Sequence, residues 1–411
     1  MTNTLSTDYE PAPLCYIAYP TSLTLQSANA IQTWTTLREI RALAPDTLAL
    51  IPRSWRAESR FEAVGAVHLP RPAVGRLSRL HRTTLLYYLE HSLFAWMCLA
   101  VLWGRRLRGQ RYGAIYIRQT VIAAWWAGLL GRLYGAPVIY EAHDWETRNP
   151  SRAKERWAEG LLHLMDRVAL TKSAAVVSLT AQFVHQLAAD GWTPRRSAVI
   201  PDAFDETVYQ PADRNQARAT LGLAADELLV VYAGMTFAYR GLDQLVAAFA
   251  EAALPGARLL FVGGRPAERA ALRQQADALH LGERVRLIEP QPQPVVAQYL
   301  AAADMLAIPD TVTDVTASPL KLFEYMAMAR PIITVDLPAL REVINDEAAV
   351  FVARGAVAPL VAALHALAAD PARRDRMGLA AHAQAQQCTY HRRAARILQL
   401  AGAVAARQER A

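Results

Sequence analysis

The sequence predicts an α/β protein made of two doubly wound, Rossmann-like domains. Short β-rich runs alternate with longer helical stretches, the pattern of parallel sheets joined by crossover helices. The chain has 411 residues and is 53% hydrophobic, enough for two ordinary cores. A proline-bounded segment from Pro201 to Pro211 separates two halves of the same architecture.

In the first half, strands are expected near 14–19, 47–52, 64–69, 113–118, 137–142, 174–179 and 197–200. In the second half they recur near 228–234, 258–263, 284–288, 304–308, 331–336 and 348–352. Helices are expected between them near 241–253, 266–280, 293–302, 319–329, 338–345 and 357–369. The expected division is a disordered tail over 1–12, an N-terminal domain over 13–205, a C-terminal domain over 206–385 and a closing helix within 386–411. The polar start, with Asp8 and Glu10, has no basic-then-apolar pattern of a signal peptide.

Cys15, Cys98 and Cys388 are too few and too scattered for a disulfide framework or a zinc cluster, which points to a reducing, cytoplasmic setting. The formal charge of +7 is concentrated around one apolar run. Arg71, Arg76, Arg79 and Arg82 precede Tyr87–Trp103, and Arg105, Arg106, Arg108 and Arg111 follow it. That arrangement suits an anionic membrane surface better than nucleic acid. Glu90 and His91 interrupt the run and leave Ser92–Trp103 too short to span a bilayer. The expectation is an interfacial helix with Trp96 and Trp103 at headgroup depth, and a buried domain helix is the alternative.

The most informative stretch is Ser318-Pro-Leu-Lys-Leu-Phe-Glu-Tyr-Met-Ala-Met-Ala-Arg-Pro331. Ser318 is expected as N-cap and Pro319 as the first helical residue, with Pro331 ending the helix at Arg330. The N–H groups opening the helix, at Leu320 and beyond, favour an anion, and Lys321 adds a full charge in the first turn. Glu324 shares the face of Lys321, and a carboxylate there suits the paired hydroxyls of a sugar. The same residues also read as an ordinary surface helix with a Lys–Glu pair.

Upstream, Gly234 closes a strand, and Arg240 and Gly241 stand at the mouth of the next helix. Arg240 offers bidentate donors, and Gly241 lets the backbone approach a phosphate. Phe261-Val-Gly263-Gly264 and Arg284-Val-Arg-Leu-Ile-Glu-Pro290 sit at further strand ends, where doubly wound sheets bind ligands. In the first half, Pro137–Ala142 reads as a buried strand ending in ionisable groups. His143 could bond a sugar hydroxyl, Asp144 could orient it or cap the next helix, and Glu141 is accessory.

Together these residues resemble the retaining GT-B glycosyltransferases of family four, the "glycosyl transferases group 1". Glu324-Tyr-Met-Ala-Met-Ala-Arg-Pro331-Ile-Ile matches that family's second Glu and the run after it, but Thr316 stands eight positions earlier where the first Glu is usual. Gly234 through Arg240-Gly241 is similar to the diphosphate-binding loop, with Met235 where a basic residue is common. Tyr140-Glu141-Ala-His143-Asp144 is similar to the run whose His faces the transferred sugar. Val199-Ile-Pro-Asp-Ala-Phe-Asp205 resembles the interdomain junction, and Cys388–Leu398, with Tyr390 where Trp is usual, the closing helix that packs back on the first domain.

The resemblance implies two Rossmann-like domains facing across a cleft. It implies transfer of a sugar, with retention, from a nucleotide-diphosphate sugar to a lipid-linked or polysaccharide-precursor acceptor in cell-envelope glycan synthesis. The implied catalytic residue is His143; the donor would be bound by Gly234, Arg240, Gly241, Gly263, Ser318, Leu320, Lys321 and Glu324, with Glu141, Asp144 and Thr316 accessory. No cofactor or metal is expected: no Asp-x-Asp motif occurs, and Arg240 with Lys321 can neutralise the diphosphate. The expected location is cytoplasmic, peripheral on the inner face of the plasma membrane, with no nucleic-acid partner. A GT-B sugar epimerase and a catalytically inactive sugar- or nucleotide-binding homologue are the alternatives. A dehydrogenase is disfavoured because no Gly-x-Gly-x-x-Gly follows a strand.

Overall fold

Apolar runs with both faces covered build two separate parallel sheets in the computed structural model, which describes residues 13–71, 85–143, 145–147, 157–311 and 318–409. The first sheet contains β1 (Leu14–Ile17), β2 (Leu48–Arg53), β3 (Val67–Pro70), β4 (Ala114–Ile117), β5 (Val138–Ala142), β6 (Ala175–Ser178) and β7 (Ser197–Val199). Their order is β3-β2-β1-β4-β5-β6-β7, every neighbour parallel. β1, β4, β5 and β6 are buried at every residue, as strands covered on both sides by helices must be. Each such Leu, Ile or Val contributes about 1.5–3 kcal/mol of burial.

The second sheet contains β8 (Leu228–Ala233), β9 (Ala257–Val262), β10 (Val285–Ile288), β11 (Met305–Ile308), β12 (Ile332–Val335) and β13 (Ala349–Val352), in the order β10-β9-β8-β11-β12-β13. Every strand expected from the sequence is present, within a few residues at its ends. In both sheets the order reverses beside the first strand, between β1 and β4 and between β8 and β11. Those two reversals mark where a crevice opens beyond the carboxyl ends of the strands.

The chain divides after Pro201, not after 205, and the first unit takes in Tyr390 onward, not 386 onward. The shift has a local cause. Phe204 N–H donates to the Cys388 carbonyl at 3.0 Å and bridges to Thr389, which ties the segment after Asp202 to the second unit. The helix Tyr390–Glu409 belongs to the first unit, where Arg393 donates to the carbonyls of Ile200 and Pro201 at 2.7 and 2.6 Å.

The apolar run forms a helix over Leu85–Leu107, longer than the Ser92–Trp103 segment considered above. Among the described residues, Leu86–Leu107 is the stretch long and apolar enough to cross a membrane by length and composition. Its two interrupting residues face inward. Glu90 is buried against the Tyr19 hydroxyl and Arg71 Nε at 2.6 Å, and His91 lies between the Tyr19 and Tyr87 rings. The opposite face is an exposed stripe of Leu89, Leu93, Trp96, Ala100, Trp103 and Leu107. The helix is thus packed in the unit on one side and apolar on its solvent side. Arg76, Arg79, Arg82 and the tail 1–12 lie outside the described residues.

Candidate active site

The second unit gathers most of the expected donor residues around the end of β8. Gly234 follows that strand with φ 130°, and a Cβ there would meet Lys321 Nζ at 2.9 Å. Gly263 follows β9 with φ 111°, and its Cβ would lie 2.8 Å from the Gly234 carbonyl. Both positions need glycine for conformation, and Gly263 also for space against backbone, so a bare-backbone floor forms where the strands end. Gly263 N–H donates to the Ile288 carbonyl at 2.9 Å, joining the end of β10 to this floor. Gly241, with φ 64°, opens the helix Leu242–Ala252.

Lys321 reaches this floor from the helix Leu320–Ala327. Its ammonium donates to the Tyr232 hydroxyl at 2.5 Å and sits 3.8 Å from the centre of that ring. The helix is fixed by Tyr325, whose hydroxyl accepts from Ala233 N–H at 2.6 Å. Burial, then repulsion from Arg240, pushes the Lys321 pKa well below its usual value, with Glu324 only partly opposing. Burial also pushes the Glu324 carboxyl up to about 7, although the Tyr209 hydroxyl and Lys321 favour its ionised form. The unliganded site therefore disfavours both charges that the sequence suggested. Arg240 lies over the Tyr239 ring at 5.1 Å, and its Nε is buried without a hydrogen-bond partner.

Two details of the motif differ from the sequence reading. Pro319, not Ser318, occupies the N-cap position with φ −72° and ψ 123°, and the Ser318 hydroxyl instead accepts from Asp202 N–H at 3.3 Å. Proline's extended ψ delays the helix by one residue, so Leu320 is its first member. The helix ends at Ala327, not at Arg330, because Ala329 adopts φ 53° and breaks the ladder before Pro331 can. Thr316 and Asp144 lie outside the described residues.

The first unit holds His143 just past β5. Its Nε2 is 2.7 Å from Glu141 Oε1 and 2.9 Å from Arg118 Nη2. One nitrogen cannot donate to the carboxylate and accept from the guanidinium together, so the tautomer selects one partner. Burial and then Arg118 lower the His143 pKa, which favours neutral imidazole.

Glu141 is fully buried and takes Arg118 Nε at 3.1 Å, Arg393 Nη2 at 2.7 Å and the Tyr116 hydroxyl. Burial raises its pKa, but Arg393 and Arg118 outweigh this and hold it well below the carboxylate range. Glu141 thus lies buried under His143, bonded to it and to two arginines. Arg118 and Arg393 were missed from the sequence, although Arg118 directly follows β4, where a strand-end search would have met it. A cavity of about 440 Å³ opens at this end of β1, β4 and β5, lined by Tyr19, Arg71, Arg118, Gln119, His143 and Glu146 among others.

Each unit thus places charged and polar groups at its topological reversal. Known sequences sharpen this. The family described as "Glycosyl transferases group 1" matches residues 213–384, and "Glycosyl transferase 4-like domain" matches residues 30–203. The chain belongs to the group 1 glycosyltransferases. Among curated proteins, the D-inositol 3-phosphate glycosyltransferase of Nocardia farcinica is 32% identical over 280 residues, covering 64% of this chain and 61% of that one. Its counterpart from Mycobacterium ulcerans is 29% identical over 202 residues, covering 42% and 43%. The chain therefore spans only 43% to 61% of the length of these relatives.

Solved structures extend the likeness in fold over nearly the whole group 1 chain. Sucrose-phosphate synthase from Thermosynechococcus elongatus aligns with TM-score 0.73 at 20% identity, covering 95% of this chain and 98% of that one. Anabaena HepE, solved in complex with UDP, aligns with TM-score 0.72 at 17% identity, covering 94% and 99%. The fold is GT-B, two parallel-sheet α/β domains.

Proposed function

We propose that this chain is an active glycosyltransferase that moves a sugar, with retention, from a nucleotide-diphosphate sugar to a hydroxyl of a lipid-linked or polysaccharide-precursor acceptor. One observation carries the donor half: Lys321 and Arg240 approach a glycine-floored strand end and repel each other there. An anion bound at that point relieves the repulsion and restores the Lys321 charge. Glu324, on the same helix face, accepts the sugar's hydroxyls. In the transfer, the bond from the anomeric carbon to the diphosphate breaks while the acceptor oxygen bonds that carbon on the same face. The acceptor proton passes to the departing phosphate oxygen. Arg240, Lys321 and the N–H groups opening the helix Leu320–Ala327 stabilise the leaving charge, so the reaction needs no metal.

His143 is proposed as the group that bonds the transferred sugar, held by Glu141 and Arg118. The cavity beside it is proposed as the acceptor pocket. UDP is the first nucleotide to test, because HepE was solved with it. Thermal shift against UDP-, GDP-, ADP- and dTDP-sugars checks the donor; a true donor at a hundred times its Kd adds about 2.7 kcal/mol. Product analysis with donor alone and with polyprenyl-phosphate or oligosaccharide acceptors then separates transfer from epimerisation, and the anomeric configuration tests retention. Turnover that survives EDTA supports the metal-free reading, and loss restored by a divalent ion rejects it.

Peripheral attachment to the inner face of the plasma membrane is part of the same proposal. It is supported by the exposed stripe Leu89, Leu93, Trp96, Trp103 and Leu107, followed by Arg108 and Arg111. Sedimentation with anionic vesicles should fall in a Trp96→Ser/Trp103→Ser variant. Equal binding by that variant would assign the stripe another role.

A further inference from the structure

The first unit has a second cavity at the opposite end of its sheet from His143. It has a volume of about 450 Å³ and borders Pro137, Ala174 and Arg196, the residues that enter β5, β6 and β7. Ligands of doubly wound sheets bind at the carboxyl ends, so nothing in the transfer reaction uses this amino-terminal edge. Its lining is nevertheless strongly one-signed. Arg132, Lys172, Arg195, Arg196 and Arg407 surround it, and among the described residues no Asp or Glu does.

None of those five cations is in an ion pair among the described residues. By contrast, Arg118, Arg218 and Arg341 each hold a carboxylate. Two polar atoms of residues in the cavity lining also lack hydrogen-bond partners. Arg196 Nη1 is buried with no hydrogen bond, and so is the indole N–H of the fully buried Trp126, which forms part of the wall. Like charges gathered at one concave site raise the local concentration of anions, and two buried donors without acceptors each carry a desolvation penalty.

The surroundings narrow the anion. Trp126 begins a π-helical turn, Trp126–Leu130, that leads into the short helix Gly131–Tyr134. On this segment Leu129 and Leu133 are exposed beside Arg132. Arg106 spans the Trp103 and Tyr134 rings at 5.3 and 5.6 Å, so the segment adjoins the end of the apolar helix Leu85–Leu107. A basic cavity thus opens next to exposed apolar side chains.

We propose that this cavity is a second anion site, distinct from the donor site, that takes the phosphate group of a phosphate ester whose remainder is apolar or small. Guanidinium forks match phosphate oxygens in pairs, and Lys172 adds a point charge. Two sources share this chemistry: the headgroup of an anionic phospholipid and a soluble phosphate ester.

The test uses the full chain. Calorimetric titration with inorganic phosphate and with glycerol 3-phosphate reads the soluble source. Sedimentation with phosphatidylglycerol-containing vesicles, against pure phosphatidylcholine, reads the headgroup. Binding to either probe, falling as salt rises, is the expected result. The Arg195→Gln/Arg196→Gln/Arg407→Gln variant should bind at least about tenfold more weakly. Because Arg196 is partly buried, the reversal Arg195→Glu/Arg407→Glu at two exposed positions is the second variant, with melting followed by circular dichroism. Binding of glycerol 3-phosphate assigns a soluble ester, and binding of vesicles alone assigns a lipid headgroup. If wild type binds neither probe, or if folded variants bind as wild type does, the proposal is overturned.

Discussion

The charge clusters at the two strand ends differ in how they are balanced. In the first unit, Glu141 stands between Arg118 and Arg393, and its ionised form is favoured despite complete burial. In the second, Lys321 and Arg240 share a corner with Glu324, and both Lys321 and Glu324 are pushed toward neutrality. The first cluster is closed: its charges satisfy each other and hold strand, helix and His143 in place. The second is less fully balanced, and under the proposed function an anionic, hydroxylated ligand supplies the missing partners. A buried charge that already has its partner supports the fold, whereas one whose charge is suppressed by burial marks a candidate binding site.

The sharpest way to break this contrast is to remove the shared carboxylate. Glu141→Ala leaves Arg118 and Arg393 buried without a counter-charge and should destabilise the first unit by about 3–5 kcal/mol, read by urea denaturation. A loss below about 1 kcal/mol would mean the cluster is not structural. Next in size, Arg240→Gln and Lys321→Met should leave stability unchanged or raised while donor affinity weakens by about 1.5–3 kcal/mol, seen calorimetrically. Destabilised folding with intact donor binding would reverse the assignments.

A smaller effect is expected at His143, which touches both ideas because Glu141 positions it. His143→Ala should lower kcat about fivefold or more, the worth of one hydrogen bond, with nucleotide affinity unchanged. Equal turnover would return His143 to a purely structural role. A graded effect is expected in the pH dependence. Because the Glu324 carboxyl sits near 7, above its ordinary value, its contribution to stability of the unliganded protein is full below about pH 4.5 and lost as pH rises through about 7. Donor binding favours the carboxylate, so affinity should fall by up to about tenfold per pH unit below 7. Glu324→Gln should flatten both profiles, and a wild-type profile already flat between pH 5.5 and 8 would contradict the shift.

The sequence by itself determined the two-sheet fold, the location of each strand, and the residues that gather at the proposed donor corner. Those features are local. Apolar runs mark doubly covered strands, and Gly234, Arg240, Gly241, Gly263, Lys321 and Glu324 announce themselves at strand ends and a helix start within short windows. Even so, the cap at Ser318 and the helix end at Arg330 were misread, because ψ at Pro319 and the left-handed Ala329 depend on the surrounding packing.

Only the tertiary structure decided which charges meet. Arg393 lies on the closing helix and Arg118 follows β4, yet both converge on Glu141 because the sheet order sets β4 beside β5 and the helix returns to the first unit. The unpaired basic cavity around Arg132, Lys172, Arg195, Arg196 and Arg407 likewise draws on separate segments. Long-range Coulomb pairing and burial depend on distances in the folded chain, and no spacing along the sequence encodes them.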